Sequence, residues 1–214
     1  KNRLENIFLK NKIKLVFHAA AYKHVPLLEY FPEESIKTNI IGTKNIADIS
    51  LQYKIDKFIM ISTDKAVNPT NIMGSCKRIA ELYINNLNNN KFNCEFVTTR
   101  FGNVLGSNGS VIPTFLKKIN ENQDLCVTHR DITRYFMTIP ESARLVIYSC
   151  YLGRGGEILL FDMGKPVKIY NLAKELWPLH RSITGLGVRK TLKILKKKNN
   201  LLKIKNFPSG KKVF

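Results

Sequence analysis

The sequence contains no run of about 18 apolar residues, so none of it reads as a membrane-spanning helix. Its opening, KNRLENIFLKNKIK, is charged throughout and does not read as a secretory leader. Cysteine is sparse: Cys76, Cys94, Cys126 and Cys150 lie far apart with no CxxC, which suggests neither a zinc site nor a disulfide framework. Reduced thiols in a cytoplasmic protein are the plain expectation. Acid is missing from one end. From Trp177 to Phe214 there are eleven Lys or Arg and no Asp or Glu, so the net charge of +19 is unevenly shared. The remaining residues carry 24 basic and 16 acidic groups. That mildly basic body suits an anionic small molecule, and no nucleic acid is expected as a partner. Contact of the basic tail with nucleic acid or acidic lipid is the lesser reading.

The apolar fraction of 44% over 214 residues supports one globular domain with an appendage. Strand and helix signals alternate. Lys14 to Ala21 reads as a strand closing on three alanines. Pro32-Glu33-Glu34 starts a helix carrying Ile36, Ile40, Ile41, Ile46 and Ile49 at near-helical spacing. Gly42 inside it is unfavourable by about 1 kcal/mol relative to Ala, which predicts close packing of helix on sheet at that point. Phe58 to Ile61 is an apolar, β-rich run of the kind buried in parallel sheets. A helix from Ile72 to about Asn88, a strand from Glu95 to Thr99, and helices from Ser110, over Pro140 to Leu152 and from Lys168 to Leu176 follow, with a turn and strand between Gly155 and Gly164. The alternation predicts an α/β fold with a parallel sheet.

The chain is organised around Phe58 to Glu81. Its strand ends in Ser62-Thr63-Asp64-Lys65, placing a hydroxyl, a carboxyl and an amine at the strand's carboxyl end, where ligands sit in open α/β sheets. Asn68-Pro69 forms a loop, and Met73-Gly74-Ser75-Cys76-Lys77 opens the next helix with Lys77 and Arg78 in its early turns. An acid and two amines gathered this way suit proton transfer beside an anionic substrate.

The segment S-T-D-K-A-V-N-P-T-N-I-M-G-S-C-K-R, Ser62 to Arg78, resembles the extended short-chain dehydrogenase/reductase superfamily. More narrowly, it resembles the nucleotide-sugar 4,6-dehydratases of the polysaccharide-biosynthesis type, which act on UDP-N-acetylglucosamine. Members of that branch carry Met where most of the superfamily carries the catalytic Tyr, and Met73 stands there. The resemblance extends to H-A-A-A-Y-K-H-V-P from His18, to the T-N-I-I-G-T segment at Thr38, to R-F-G-N-V-L-G-S at Arg100, and to T-H-R-D-I-T-R-Y-F-M at Thr128. It covers about residues 1–176 and implies a partial Rossmann-type parallel sheet with flanking helices and a small substrate-binding region, with NAD as cofactor and a homo-oligomer. Thr63, Asp64, Lys65 and Lys77 are then the catalytic candidates. Ala19, Ala20, Ala21, Asn39, Lys77, Phe101, Asn103 and Val104 lie toward the cofactor. Tyr22, Lys23, Met73, Asn103 and Arg134 lie toward a UDP-N-acetylhexosamine substrate. Arg130 and Arg134 are both candidates for the diphosphate, because a guanidinium grips phosphate oxygens in a fork, and Arg134 is preferred. His18 reads as a core histidine. No metal is implied.

Two departures qualify the resemblance. No G-x-G-x-x-G motif occurs, so the half that grips the adenosine side of NAD is expected to be missing and a sheet edge to be open. Residues 177–214, a basic C-terminal appendage, no longer resemble the dehydratase but the opening of a bacterial aminopeptidase-like domain, and stop before any metal-ligand motif. The implied chemistry is oxidation at the sugar C4, loss of water across C5 and C6, and reduction at C6. Asp64 acts as the acid, Lys65 as the base, and Thr63 as hydrogen-bond partner of the C4 oxygen. Asp64 must then be protonated and Lys65 neutral, which calls for burial or suitable neighbours. The competing expectations are a fragment that binds nucleotide sugar without turnover, and an epimerase of the same superfamily.

Overall fold

The structure, a computed structural model, describes residues 2–89, 94–107, 109–177 and 186–198, with side chains from 189 onward in the last stretch. Its elements run α1 (Asn2–Lys10), β1 (Leu15–His18), α2 (Val25–Tyr30), α3 (Pro32–Ser35), a π-helical segment (Ile36–Gly42), α4 (Thr43–Gln52), β2 (Lys57–Thr63) and α5 (Ile72–Leu87). They continue with β3 (Glu95–Phe101), β4 (Asn103–Val104), α6 (Val111–Asn120), β5 (Thr133–Arg134), β6 (Phe136–Met137), α7 (Ile139–Leu152), β7 (Ile158–Leu160), β8 (Val167–Lys168), α8 (Ile169–Leu176) and α9 (Leu186–Lys198). They divide into two compact units, residues 1–102 with 142–162 and residues 103–141 with 163–214.

The first unit is the predicted parallel α/β layer. Its four strands lie in the order β1-β2-β3-β7, every neighbour parallel. The apolar run is why β2 is central: Phe58, Ile59 and Met60 are each at most 1% exposed, covered on both faces. Phe58 and Phe96 meet across β2 and β3 with ring centroids 5.3 Å apart, among Met60, Ala80, Ile84 and Ile49. The first strand is shorter than its sequence suggests. It ends at His18, and the three alanines lie beyond it. As an edge strand it leaves Leu15 and Phe17 exposed, as an open edge predicts.

The helix read from Pro32 is one helical run with a π turn inside it, a form frequent at functional sites. The expected reason for Gly42 is not found there. A Cβ on it would meet only the Lys37 carbonyl oxygen at 3.6 Å, ordinary contact, so no close approach demands glycine. Helix α5 follows its sequence closely. Its N-cap Asn71 accepts from the Gly74 N–H at 2.8 Å, and Glu29 of α2 accepts from the Ile72 N–H at 2.7 Å. Its buried stripe, Met73, Cys76, Lys77, Ala80, Glu81, Ile84 and Leu87, has helical spacing and contains two charged residues.

The second unit holds two small sheets. In one, β4 and β6 run parallel; in the other, β5 and β8 run antiparallel. Its core gathers Phe115, Phe136, Leu172 and Leu176, with Ile194 and Leu195 of α9 against them. The described part of the basic appendage is thus an amphipathic helix with its apolar side in this core, and Lys198 pairs with Glu175 at 2.9 Å. The rest of the aminopeptidase-like wording, 178–185 and 199–214, lies outside the described residues. Among the described residues no helix is long and apolar enough to cross a membrane.

Candidate active site

The parallel register brings three chain exits to one edge of the first unit. β1 releases Ala19, Ala20 and Ala21; β2 releases Asp64 and Lys65; β3 ends at Phe101, opposite Thr63. Ala19 and Ala20 are exposed, so small side chains floor that edge. Lys23 and the Tyr22 ring are exposed on the same loop.

The catalytic candidates of β2 form one connected group. After Thr63 the chain makes a single 3-10 turn, Asp64–Ala66, capped by the Thr63 hydroxyl, which accepts from the Lys65 N–H at 3.4 Å. That hydroxyl donates to Asp64 Oδ1 at 2.9 Å, and Lys65 Nζ donates to the same oxygen at 2.9 Å. Both charged side chains are about a quarter to a third exposed and in reach of solvent. The Thr63 hydroxyl and the Lys65 amine thus meet on one oxygen of Asp64.

Gly74 explains how α5 comes so close to this turn. A Cβ there would stand 2.5 Å from the Lys65 carbonyl oxygen, a clash with backbone that cannot rotate away. Nothing in the sequence signalled this contact.

Below the turn, Met73 is 5% exposed and belongs to the core. Lys77 is also 5% exposed, and its amine donates to the Ile61 carbonyl at 3.0 Å. Burial holds that amine down at about 8, with the Glu81 charge pulling the other way. His18 is lowered to about 4, first by burial and then by the charge of Lys77. Its Nε2 lies 2.8 Å from the Thr43 hydroxyl, which donates to the Asn39 carbonyl at 2.8 Å. The hydroxyl proton is thereby committed, so Nε2 is assigned as the donor. His18 is a satisfied core group.

Asn39, expected toward the cofactor, acts one step back. It is fully buried in the π segment. Its amide accepts from the Tyr22 N–H at 2.8 Å and donates to the Tyr22 carbonyl at 2.9 Å and to Ser35 at 3.2 Å. It therefore fixes the loop that carries Tyr22 and Lys23.

The sequence reading passed over Glu81, Ser62 and Arg100, which are 1%, 5% and 9% exposed and joined by hydrogen bonds. A signal was there: Glu81 falls on the same helical stripe as Met73, Lys77 and Ile84.

Asn103, Val104 and Arg134 belong to the second unit. The Asn103 N–H donates to the Tyr135 carbonyl, setting β4 beside β6. Arg134 donates to the Thr133 carbonyl at 2.8 Å, and Arg130 lies over the Tyr170 ring at 5.5 Å. In the adjoining loop Gly106 and Gly109 have φ of +74° and +68°, which is why glycine stands at both. Among the described residues no cluster of three or more His, Cys, Asp or Glu is placed to hold a metal.

A parallel α/β layer with Thr63, Asp64, Lys65 and Lys77 toward its carboxyl edge defines the class of fold, a Rossmann-like parallel sheet with flanking helices. The chain belongs to the polysaccharide biosynthesis protein family, whose sequence profile matches residues 1–196, beyond Leu176 and into α9. It is 54% identical over 176 residues to the capsular polysaccharide biosynthesis protein CapD of Staphylococcus aureus, covering 82% of this chain and 29% of that one. It is 40% identical over 183 residues to the UDP-glucose 4-epimerase of Rickettsia rickettsii, 83% of this chain and 53% of that one. The fold is shared, at TM-score 0.74 and 17% identity, with DesIV, a dTDP-glucose 4,6-dehydratase of Streptomyces venezuelae solved with NAD, over 80% of this chain and 58% of that one. The chain thus spans well under two thirds of each of these proteins.

Proposed function

We propose that this chain carries the catalytic edge of a UDP-N-acetylglucosamine 4,6-dehydratase. The observation that carries this reading is the Thr63–Asp64–Lys65 turn, an acid and a base joined by one hydrogen bond at the end of β2. Thr63 hydrogen-bonds the sugar C4 oxygen. Lys65, as the amine, takes the C5 proton. Asp64, as the acid, gives its proton to the C6 hydroxyl, which leaves as water.

NAD supplies the hydride acceptor at C4 and the hydride donor at C6 when bound. The chain's residues fit its nicotinamide side: exposed Ala19 and Ala20 leave room for a flat ring, and Lys77 supplies positive charge from its buried place on the Ile61 carbonyl. Met73 has no exchangeable proton, so the C4 hydroxyl proton leaves by another group. Phe101, Asn103 and Val104 toward the cofactor, and Tyr22, Lys23 and Arg134 toward the UDP-sugar, complete the reading. Exposed Leu27, Tyr30, Ile79 and Leu82 on α2 and α5 support a homo-oligomer.

The test is mass spectrometry of UDP-N-acetylglucosamine after incubation with the chain and NAD. A product lighter by one water is expected. Unchanged mass with inversion at C4 would instead give the epimerase, and an unaltered sugar would give a fragment without turnover.

A further inference from the structure

Glu81 is 1% exposed, and three side chains converge on its carboxylate. Ser62 Oγ donates to Oε1 at 2.6 Å, and Arg100 Nε to the same oxygen at 2.7 Å. Arg100 also donates through Nη2 to Oε2, making the pair bidentate, and Arg78 reaches Oε2 at 3.2 Å. Ser62 and Arg100 are directly opposed on β2 and β3, so Glu81 ties α5 to both central strands at one rung. One turn earlier on the same stripe, Lys77 donates to the carbonyl of Ile61. Consecutive residues of β2, Ile61 and Ser62, thus engage residues four apart on α5, immediately before the Thr63–Lys65 turn. Apolar groups of equal volume at such a buried charge cluster are often as stable or more so, which argues for a role beyond stability.

We propose that Glu81 is a positioning residue of this site: pinned by Ser62, Arg78 and Arg100, its carboxylate sets the register of α5 along β2 and gives Lys77 a buried counter-charge. It acts through Lys77 and the turn without touching a ligand, and its place in catalysis rests on the function proposed above. Other ionisable groups near this stripe include His18 on β1, which feels the Lys77 charge, Asp64 and Lys65 on the 3-10 turn, Arg100 on β3, and Glu29 on α2, which accepts from the Ile72 N–H. On α3 and α4, Glu34 and Asp48 are engaged by Lys37 and Lys44.

The experiment is competitive acetylation of Lys77 across pH in the full chain, read by peptide mass spectrometry, with sugar turnover followed in parallel. Wild type should be half reactive near pH 8. Glu81→Gln should lower that midpoint by about half a pH unit or more, a rise of roughly threefold in neutral amine at pH 7. A merely structural Glu81 moves it the other way, because a loosened helix lets water reach Lys77 and the midpoint climbs. An unchanged or climbing midpoint overturns the proposal. Should Glu81→Gln not fold, Arg78→Gln at the half-exposed rim is the second variant. It should raise the midpoint at unchanged melting temperature; no rise, or a rise that comes with a lower melting temperature, overturns the proposal. If the wild type turns over no sugar but Lys77 shifts as expected, the dehydratase reading falls and the positioning role of Glu81 stands. With normal turnover and an unshifted Lys77, the dehydratase reading stands and the positioning role falls.

Discussion

The two ends of one sheet use lysine in opposite ways. At the amino end, Lys57 of β2 donates to the Cys150 and Gly153 carbonyls at 2.9 and 2.7 Å and pairs with Glu95 at 2.7 Å. Each partner is held by backbone or by a neighbouring strand, and the lysine closes the end of α7. At the carboxyl end, Lys65 shares a proton-bearing hydrogen bond with Asp64, and Lys77 has a single carbonyl under heavy burial. The first arrangement fixes a charge in place. The second leaves one amine on a part-exposed carboxylate and the other buried on a single carbonyl. Which end of a parallel strand a lysine occupies decides more about its work than its residue type does.

The largest effect should fall on the carboxyl end. Asp64→Asn or Lys65→Ala is expected to lower kcat by about 10²–10⁴-fold with little change in melting temperature, measured by product formation from UDP-N-acetylglucosamine. Full activity in either variant would remove that residue from the chemistry.

Next comes acid sensitivity through His18. Its ordinary value is 6.5 and its folded value about 4, so between these the unfolded chain binds a proton that the folded one does not. Stability is therefore lost as pH falls from 6.5 toward 4, by up to about 3 kcal/mol. Urea unfolding at stepped pH should show this slope, and His18→Gln should flatten it. An equal slope in the variant would assign the acid limb elsewhere.

Two glycines sharpen the contrast further. Gly74→Ala should cost about 1–3 kcal/mol and slow turnover, since the new methyl displaces the Lys65 backbone. Gly42→Ala, with room for its methyl, should gain up to about 1 kcal/mol in thermal unfolding. The smallest effect belongs to the amino end. Lys57→Met should cost about 1 kcal/mol of stability and leave kcat unchanged. A fall in kcat there would break the division between the two ends.

The central strand, α5 and the cluster of reactive groups were legible because they obey local rules. Phe58 to Ile61 is a continuous apolar run, and the α5 stripe repeats every three or four residues. What escaped was set by distance. The approach of Gly74 to Lys65 and the pairing of Glu81 with Arg100 join residues nine and nineteen positions apart, which no local pattern encodes. The early end of β1 at His18 had no breaker to announce it, since alanine is tolerated in and out of strands. The π turn around Asn39 reads from sequence as ordinary helix, because one extra residue in a turn leaves the isoleucine spacing nearly intact.

That turn has a kinetic meaning. Asn39 offers Tyr22 an acceptor for its N–H and a donor for its carbonyl, the two bonds a neighbouring strand would provide. One side chain thus stands in for a strand at a place where the sheet has already ended. Tyr22 presents half of its surface to water, yet its amide hydrogen is held on a fully buried side chain and exchanges only when that bond opens. The loop that bears Tyr22 and Lys23 therefore takes its backbone protection from the core, although it lies on the surface.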